Sequence, residues 1–333
     1  MNKDDRIYIA GHRGLVGSGF MRALARDGFD NVVAKAHREL DLTDQAATRA
    51  FFQETRPDYV VLAAAKVGGI VANDTYPAEF IQQNLAIQTN VIHSAYEVGV
   101  KRLLFLGTAC IYPRESKQPL KEEYLLTGPL ESTNRSYAIA KISGIEMCWS
   151  YNRQYGTKYA AVMPASLFGP GDNYDLVTSH VVPALLRKFH EAKLKNAPHV
   201  TLWGTGKAYR EFIYVDDMVD ACLQVLSLPD ERYATLLGSD ESKTGVFMPP
   251  FVNVGVGTDM TIAELAAMIH EITGFRGRIE YDTSKPDGTF RKVLDVSRLH
   301  ALIEPRITPL RDALAETYED FIDNVYGRLA QSA

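Results

Sequence analysis

The chain has 333 residues, 46% of them hydrophobic and 23% charged, with a net charge of −5. That length exceeds what one hydrophobic core usually serves and predicts a large α/β domain carrying a smaller appended lobe. The acidic balance excludes a general nucleic-acid binder, which needs a large positive field to displace counterions from phosphates.

The N-terminus, MNKDDRIYIAGHRG, passes from charge through four apolar residues into a Gly-rich turn, too short for the core of a signal peptide. A strand is expected at 6–10 and a helix at 15–27. Between them IYIAGHRGLVGSGF sets Gly11, Gly14 and Gly17 at a tight strand-to-helix turn. There a backbone without Cβ atoms can approach a pyrophosphate, and the helix N-terminus offers unpaired N–H groups. The next strand, 31–36, ends in AKAHRELDL, where an NAD-specific site would present a carboxylate to the ribose 2′-hydroxyl. Here stand Lys35, His37 and Arg38, with Arg13 in the first turn, a charge that suits a 2′-phosphate and hence NADP(H). Asp41, in DLTD, is expected either to cap the following helix, 43–54, or to meet the adenine.

Strands at 58–64 and 102–107 bracket a helix at 77–98. The longest apolar run, Tyr59 to Ala65, falls far short of the roughly 18 residues a membrane span needs. After the apolar run Leu103, Leu104, Phe105, Leu106 comes GTACIYP, with a hydroxyl at Thr108 and a thiol at Cys110. The helix at 136–155 carries SYAIAK, which places Tyr137 and Lys141 on one face. A phenol titrates near ~10, and the neighbouring ammonium is expected to stabilise the phenolate and bring the hydroxyl into use near neutrality. With a strand at 158–163 the alternation describes a doubly wound parallel sheet whose ligands lie beyond the carboxyl ends of its strands. In that setting Thr108, Tyr137 and Lys141 form a hydride-transfer set.

After Pro164 the alternation loosens. Residues 228–250 read as a surface loop, and 261–273 as a helix with Ile262, Leu265, Ala266 and Ile269 on one face. The expected division is a dinucleotide domain at 1–165 and a mainly substrate-binding, mixed α/β lobe at 166–333, with parts of 205–225 returning to the first. The three cysteines, Cys110, Cys148 and Cys222, are odd in number and far apart, with no CxxC pair and no His at metal spacing. They point to a reducing compartment, the cytoplasm, and to no metal site.

Across nearly the whole chain, AGHRGLVG, AAAKVGGIVAN, CIYP, YAIAKISG, WSYNRQYG, SHVVPALLRKFHEA, WGTGKAYREFIYVDDM and SKPDGTFRKVLDVSRL resemble the GDP-L-fucose synthase family of extended short-chain dehydrogenases. The resemblance implies a Rossmann-type domain, NADP(H), and a GDP-linked 4-keto-6-deoxy sugar that is epimerised at C3 and C5 and then reduced at C4. It gives Thr108 and Tyr137, with Lys141, the C4 oxygen. It gives Cys110 and His180 the carbon-bound protons, and a thiol, with a reference pKa of ~8.5, reaches either protonation state near neutrality. The dinucleotide falls to Gly11, His12, Arg13, Gly14, Leu15, Val16, Gly17, Lys35, His37, Arg38, Asp41, Leu42, Lys141, Pro164 and His180, and the GDP-sugar to Lys188, Trp203, Arg210 and Asp287. A homodimer through the helices at 77–98 and 136–155, packed as a four-helix bundle, is also implied; Leu85, Ile92 and Ala95, at helical spacing, face either the partner or the parent sheet. Three departures stand out: Thr108 where the family more often has Ser, His37 where Arg is commoner, and LIEPRITPL without the usual Gly-Trp. Dehydratases of this class place an acidic pair where this chain has Ala109 and Cys110, and simple 4-epimerases need neither Cys110 nor His180. A reductase of another GDP-4-keto sugar, dideoxy or heptose, shares the remaining features.

Overall fold

Five apolar runs of the first half and one from far down the chain build a six-stranded sheet. The computed structural model describes residues 1–176, 178–238, 248–285 and 289–327. The first half runs β1 (Ile7–Ala10), α1 (Leu15–Arg26), β2 (Val32–Val33), α2 (Gln45–Thr55), β3 (Tyr59–Leu62), α3 (Ile70–Thr75), α4 (Pro77–Val98), β4 (Arg102–Leu106), α5 (Arg135–Tyr155) and β5 (Tyr159–Pro164). There follow β6 (Ser166–Phe168), α6 (Val181–Leu194), β7 (His199–Trp203), β8 (Tyr209–Arg210), β9 (Phe212–Tyr214), α7 (Val215–Leu226) and α8 (Asp230–Ala234). The described chain then gives β10 (Phe251–Val254), β11 (Met260–Thr261), α9 (Ile262–Thr273), β12 (Arg278–Asp282), β13 (Arg291–Lys292), α10 (Ser297–Leu302) and α11 (Leu310–Asp320).

The large sheet has the order β10-β5-β4-β3-β1-β2 with every pair parallel. Its strands are apolar on both faces because both are covered. Ile7, Ile9, Val61, Leu104 and Val162 point into one core with α1 and α7. Their neighbours Tyr8, Ala10, Val60, Leu103 and Ala161 point into the other, with α2, α4 and α5. β1 lies between β2 and β3, so successive crossovers leave it in opposite directions and open a crevice beyond its carboxyl end.

The lobe has its own core from α6, β7, α9 and α11, where Leu265, Ala266 and Ile269 are buried as their spacing predicts. More of the second half returns to the large sheet than 205–225. α7 packs on α1 through the ion pairs Arg22–Asp216 and Arg26–Asp220, and β10 and α10 join the sheet layer. The segment expected as a loop at 228–250 contains α8, with Tyr233 and Leu236 buried; the Arg102 guanidinium lies 4.1 Å from the Tyr233 ring. Residues 239–247 lie outside the described residues. Among the described residues no helix is long and apolar enough to cross a membrane, and no His, Cys, Asp and Glu cluster fits a metal ion.

Candidate active site

Gly11 follows β1 at φ +87°, and a Cβ there would fall 2.7 Å from the Ala64 backbone nitrogen beyond β3. The turn therefore sits in the crevice that the strand order creates. At Gly17 a Cβ would come 2.1 Å from the Gly11 carbonyl oxygen, so only glycine lets α1 press onto its own turn. Gly14, at the N-cap, is exposed and makes no side-chain cap, which leaves the first-turn N–H groups of α1 for an anion. His12 adds a buried Nδ1 with no partner among the described residues. Leu15 and Val16 rest half-buried on the core beneath. These residues fit the phosphates of a dinucleotide.

Arg13, Lys35, His37 and Arg38 are all exposed. Glu39, which sequence reasoning passed over, accepts from the Ala36 N–H at 2.8 Å, and that bond, together with the charges of Lys35, Arg38 and Arg13, holds its carboxyl below the ordinary range. The charges of Lys35, Arg38 and Arg13 all reach this one carboxylate, so the exposed segment after β2 carries more positive than negative charge. His37 Nδ1 lies 3.8 Å from Asp41 Oδ1. Asp41 does not cap α2: it accepts from Thr43 N and Oγ1 at 2.9 and 2.7 Å, and Asp44 caps the helix through Ala47 N at 3.0 Å. The side chain of Leu42 is buried in the core and its carbonyl accepts from Asn90 at 2.9 Å, so neither is free for a ligand.

β4 delivers Thr108 in extended conformation at the start of the short 3₁₀ turn Ala109–Ile111, and its Oγ1 accepts from the Cys110 N–H at 3.3 Å. The hydroxyl oxygen thereby fixes the turn that carries the thiol, while its proton stays available to donate. Asn134 Nδ2 donates to Cys110 Sγ at 3.3 Å from the other side. Tyr137 packs edge-on against Phe80 at 6.0 Å, and Lys141, 3% exposed, donates to the Leu106 carbonyl at 2.7 Å. One turn of α5 and the end of β4 therefore bring Thr108, Cys110, Tyr137 and Lys141 together.

The electrostatics differ from the expected ammonium-supported phenolate. Burial pushes the Tyr137 phenol well above its ordinary value, charge on Cys110 adds to the shift, and burial lowers Lys141 to about 7. Both groups are desolvated, and the Lys141 ammonium is directed at a backbone carbonyl, 5.8 Å from the Tyr137 ring. The free site favours a neutral phenol.

His180 precedes α6 and presents an exposed face, although enough protein surrounds the ring to lower its imidazole below the ordinary value. It makes no described hydrogen bond to Thr108, Cys110 or Tyr137. The link is indirect: a Cβ at Gly69, which starts α3, would lie 3.6 Å from the Ser179 carbonyl, and α3 in turn packs on residues 132–134. Pro164 ends β5 opposite Val254. Lys188, whose burial lowers its ammonium, lies 5.7 Å from the ring of Trp203, which is 62% exposed and also faces Lys285. Arg210 lines a cavity of about 190 Å³ with Phe168, Tyr214, Asp259 and Thr308, in which Lys188 and Trp203 take no part. Asp287 lies outside the described residues.

Sequence reasoning missed Asn134, Phe80 and Asn84. The last is 2% exposed and pins the loop after β3 through Lys66 N and O; a polar residue on the inward face of a helix was its only signal.

The model of the NAD dependent epimerase/dehydratase family matches residues 7–235. GDP-L-fucose synthase 1 of Arabidopsis thaliana is 51% identical over 98% of this chain and 96% of its own. GDP-L-fucose synthase of Escherichia coli (strain K12) is 51% identical over 96% and 97%. Among solved structures, a GDP-mannoheptose C4 reductase from Campylobacter jejuni with NADP bound superposes with a TM-score of 0.86 at 38% identity, covering 97% of this chain and 99% of that one. The chain belongs to the NAD dependent epimerase/dehydratase family and, within it, to the GDP-L-fucose synthases.

Proposed function

We propose that the protein converts GDP-4-keto-6-deoxy-D-mannose into GDP-L-fucose with NADPH, epimerising C3 and C5 before reducing C4. The observation that carries this reading is the joining of two chemistries in one cluster: an acid–base thiol, Cys110, beside a hydroxyl and phenol, Thr108 and Tyr137. The C4 ketone acidifies the hydrogens at C3 and C5, because removal of either leaves an enolate spread onto the C4 oxygen. Thr108 and Tyr137 donate to that oxygen, where charge develops. Cys110 and His180 remove and return the protons at carbon. NADPH, when bound, supplies hydride to C4. Tyr137 then gives its proton to the C4 oxygen, and Lys141 holds the Tyr137 region against β4. Gly11 to Gly17 hold the pyrophosphate, Arg13, Lys35 and Arg38 hold the 2′-phosphate, and Lys188, Trp203, Arg210 and Asp287 hold the GDP-sugar.

The Campylobacter jejuni relative, a GDP-mannoheptose C4 reductase, supports a second reading, in which this chain is a related GDP-4-keto-sugar epimerase/reductase acting on a heptose. The higher identity to the fucose synthases favours the first. Reaction with GDP-4-keto-6-deoxy-D-mannose and NADPH in D2O, beside the same reaction with a GDP-4-keto-heptose, decides between them. Deuterium at C3 and C5 of the reduced sugar is expected, and reduction without label at either carbon would overturn the proposal.

The functional unit in this reading is a homodimer in the cytoplasm, joined through the outer face of α4 and α5. That face carries a cluster of Tyr96, Tyr151 and Tyr155, with His93 bonded to the Tyr151 hydroxyl at 2.8 Å. Ile92 and Ala95 are buried against the sheet and do not form it, whereas Leu85 is only half-buried. Light scattering that gives only monomer at micromolar concentration would remove the dimer.

A further inference from the structure

Asn134 occupies the N-cap position of α5, where an Asn side chain ordinarily accepts from the helix's own first-turn N–H groups. It makes no such bond. Its Nδ2 instead donates to Cys110 Sγ, and its Oδ1 is buried with no partner among the described residues. The sulfur is thus the one described partner of this amide, and the cap was given up to reach it. Thr108 directs its oxygen to the Cys110 backbone rather than to the sulfur.

A carboxamide carries a donor and an acceptor in one plane, and half a turn about its last torsion exchanges them. That is what a proton-shuttling thiol requires of a neighbour. Ionised sulfur accepts from N–H, and protonated sulfur donates to C=O.

We propose that Asn134 is the positioning residue of Cys110: its amide donates to the ionised sulfur and, turned over, accepts from the protonated one, keeping the sulfur in place through both states. This rests on the assignment of carbon-bound proton transfer to Cys110. When the sulfur takes a proton from C3 or C5, the C–H electron pair passes into the enolate at C4 and the new S–H turns to Oδ1. A proton returned to carbon on the opposite face completes the inversion, and when the sulfur gives up its own proton the amide turns back to donate to it.

Cys148 and Cys222 are fully buried, so alkylation by iodoacetamide reports on Cys110, with Cys110→Ser as the blank. The measurement is the pH midpoint of the alkylation rate without substrate, for the wild type, Asn134→Asp and Asn134→Ala. Asp is itself a favoured N-cap, so α5 still starts correctly, but its carboxylate cannot donate and repels the thiolate. The Asp midpoint is expected to rise by about one pH unit or more, and the Ala midpoint by less. Solvent deuterium exchange into C3 and C5 near neutral pH is expected to fall about tenfold or more in Asn134→Asp, with NADPH affinity unchanged. Midpoints that coincide with the wild type in both variants would overturn the proposal. Alkylation needs no substrate, so a wild-type exchange rate in Cys110→Ser would refute the role of Cys110 separately, while a shifted midpoint would still assign the amide to the sulfur.

Discussion

Lys141→Met tests what the buried lysine costs the fold. Lys141 is 3% exposed, forms no ion pair among the described residues, and is lowered by burial to about 7 from 10.5. Its folded pKa lies below its unfolded one, so between those values the unfolded chain binds the extra proton and stability rises with pH. Below the folded value both states are protonated and the penalty is fully present. Through linkage that difference amounts to roughly 5 kcal/mol. Met is similar in length and carries no charge, but it leaves the Leu106 carbonyl without its 2.7 Å donor. An unpaired buried carbonyl costs about 1–3 kcal/mol. The variant should therefore be more stable than the wild type at pH 6, by roughly 2–4 kcal/mol from the same terms. At pH 10 that gain has shrunk to about 1 kcal/mol and the lost bond offsets or exceeds it, so the stabilisation seen at pH 6 should disappear. Urea unfolding of both proteins at the two pH values measures the difference. A Met variant destabilised equally at both would show that the fold does not penalise the Lys141 charge.

Gly17→Ala forces a Cβ to within 2.1 Å of the Gly11 carbonyl, a backbone contact that cannot give without moving the turn. A stability loss of about 1–3 kcal/mol is expected from overpacking, with NADPH affinity lowered more than about tenfold in a fluorescence titration; an unchanged Kd would refute the cradle. Replacing Arg13, Lys35 and Arg38 together by Ala should abolish selectivity for NADPH over NADH in kcat/KM, since each charge-assisted contact contributes about 1.5–3 kcal/mol. Selectivity that survives would place the 2′-phosphate elsewhere. Cys110→Ser should lose solvent deuterium exchange while still reducing ketone slowly, and Tyr137→Phe should lose NADPH oxidation while keeping some exchange. Wild-type labelling in Cys110→Ser would leave GTACIYP to be explained by packing.

The elements of the first half were legible because a strand covered on both faces is a bare apolar run, and because helix spacing separates the runs. β2 was overextended: only Val32 and Val33 pair, since the chain then bends so that Ala36 can bond Glu39. β10 was legible as apolar sequence but not as a member of the large sheet, because pairing across nearly 90 residues leaves no local mark. The Gly turn, the Tyr137–Lys141 spacing and the Thr108–Cys110 pair carried the site. Spacing gives proximity, however, and burial sets the direction of a pKa, which is why the Tyr137 phenol is pushed up although Lys141 stands beside it. Asn134 escaped notice because Asn before a helix ordinarily means a cap, and its side chain's actual direction depends on a residue 24 positions away.

The neutral phenol also bears on the order of the proposed steps. Hydrogens at C3 and C5 are acidic only while C4 is a ketone, so reduction has to come after both epimerisations. A group that protonated the C4 oxygen early would discharge the enolate before carbon regained its proton on the new face. Burial raises the proton affinity of Tyr137 and so keeps its hydroxyl a hydrogen-bond donor to the enolate oxygen rather than an acid toward it. The alkoxide formed on reduction is far more basic than an enolate oxygen, and toward it the same phenol becomes a competent acid. Desolvation beside Phe80 thus lets one hydroxyl support the epimerisations without ending them and complete the reduction when hydride arrives.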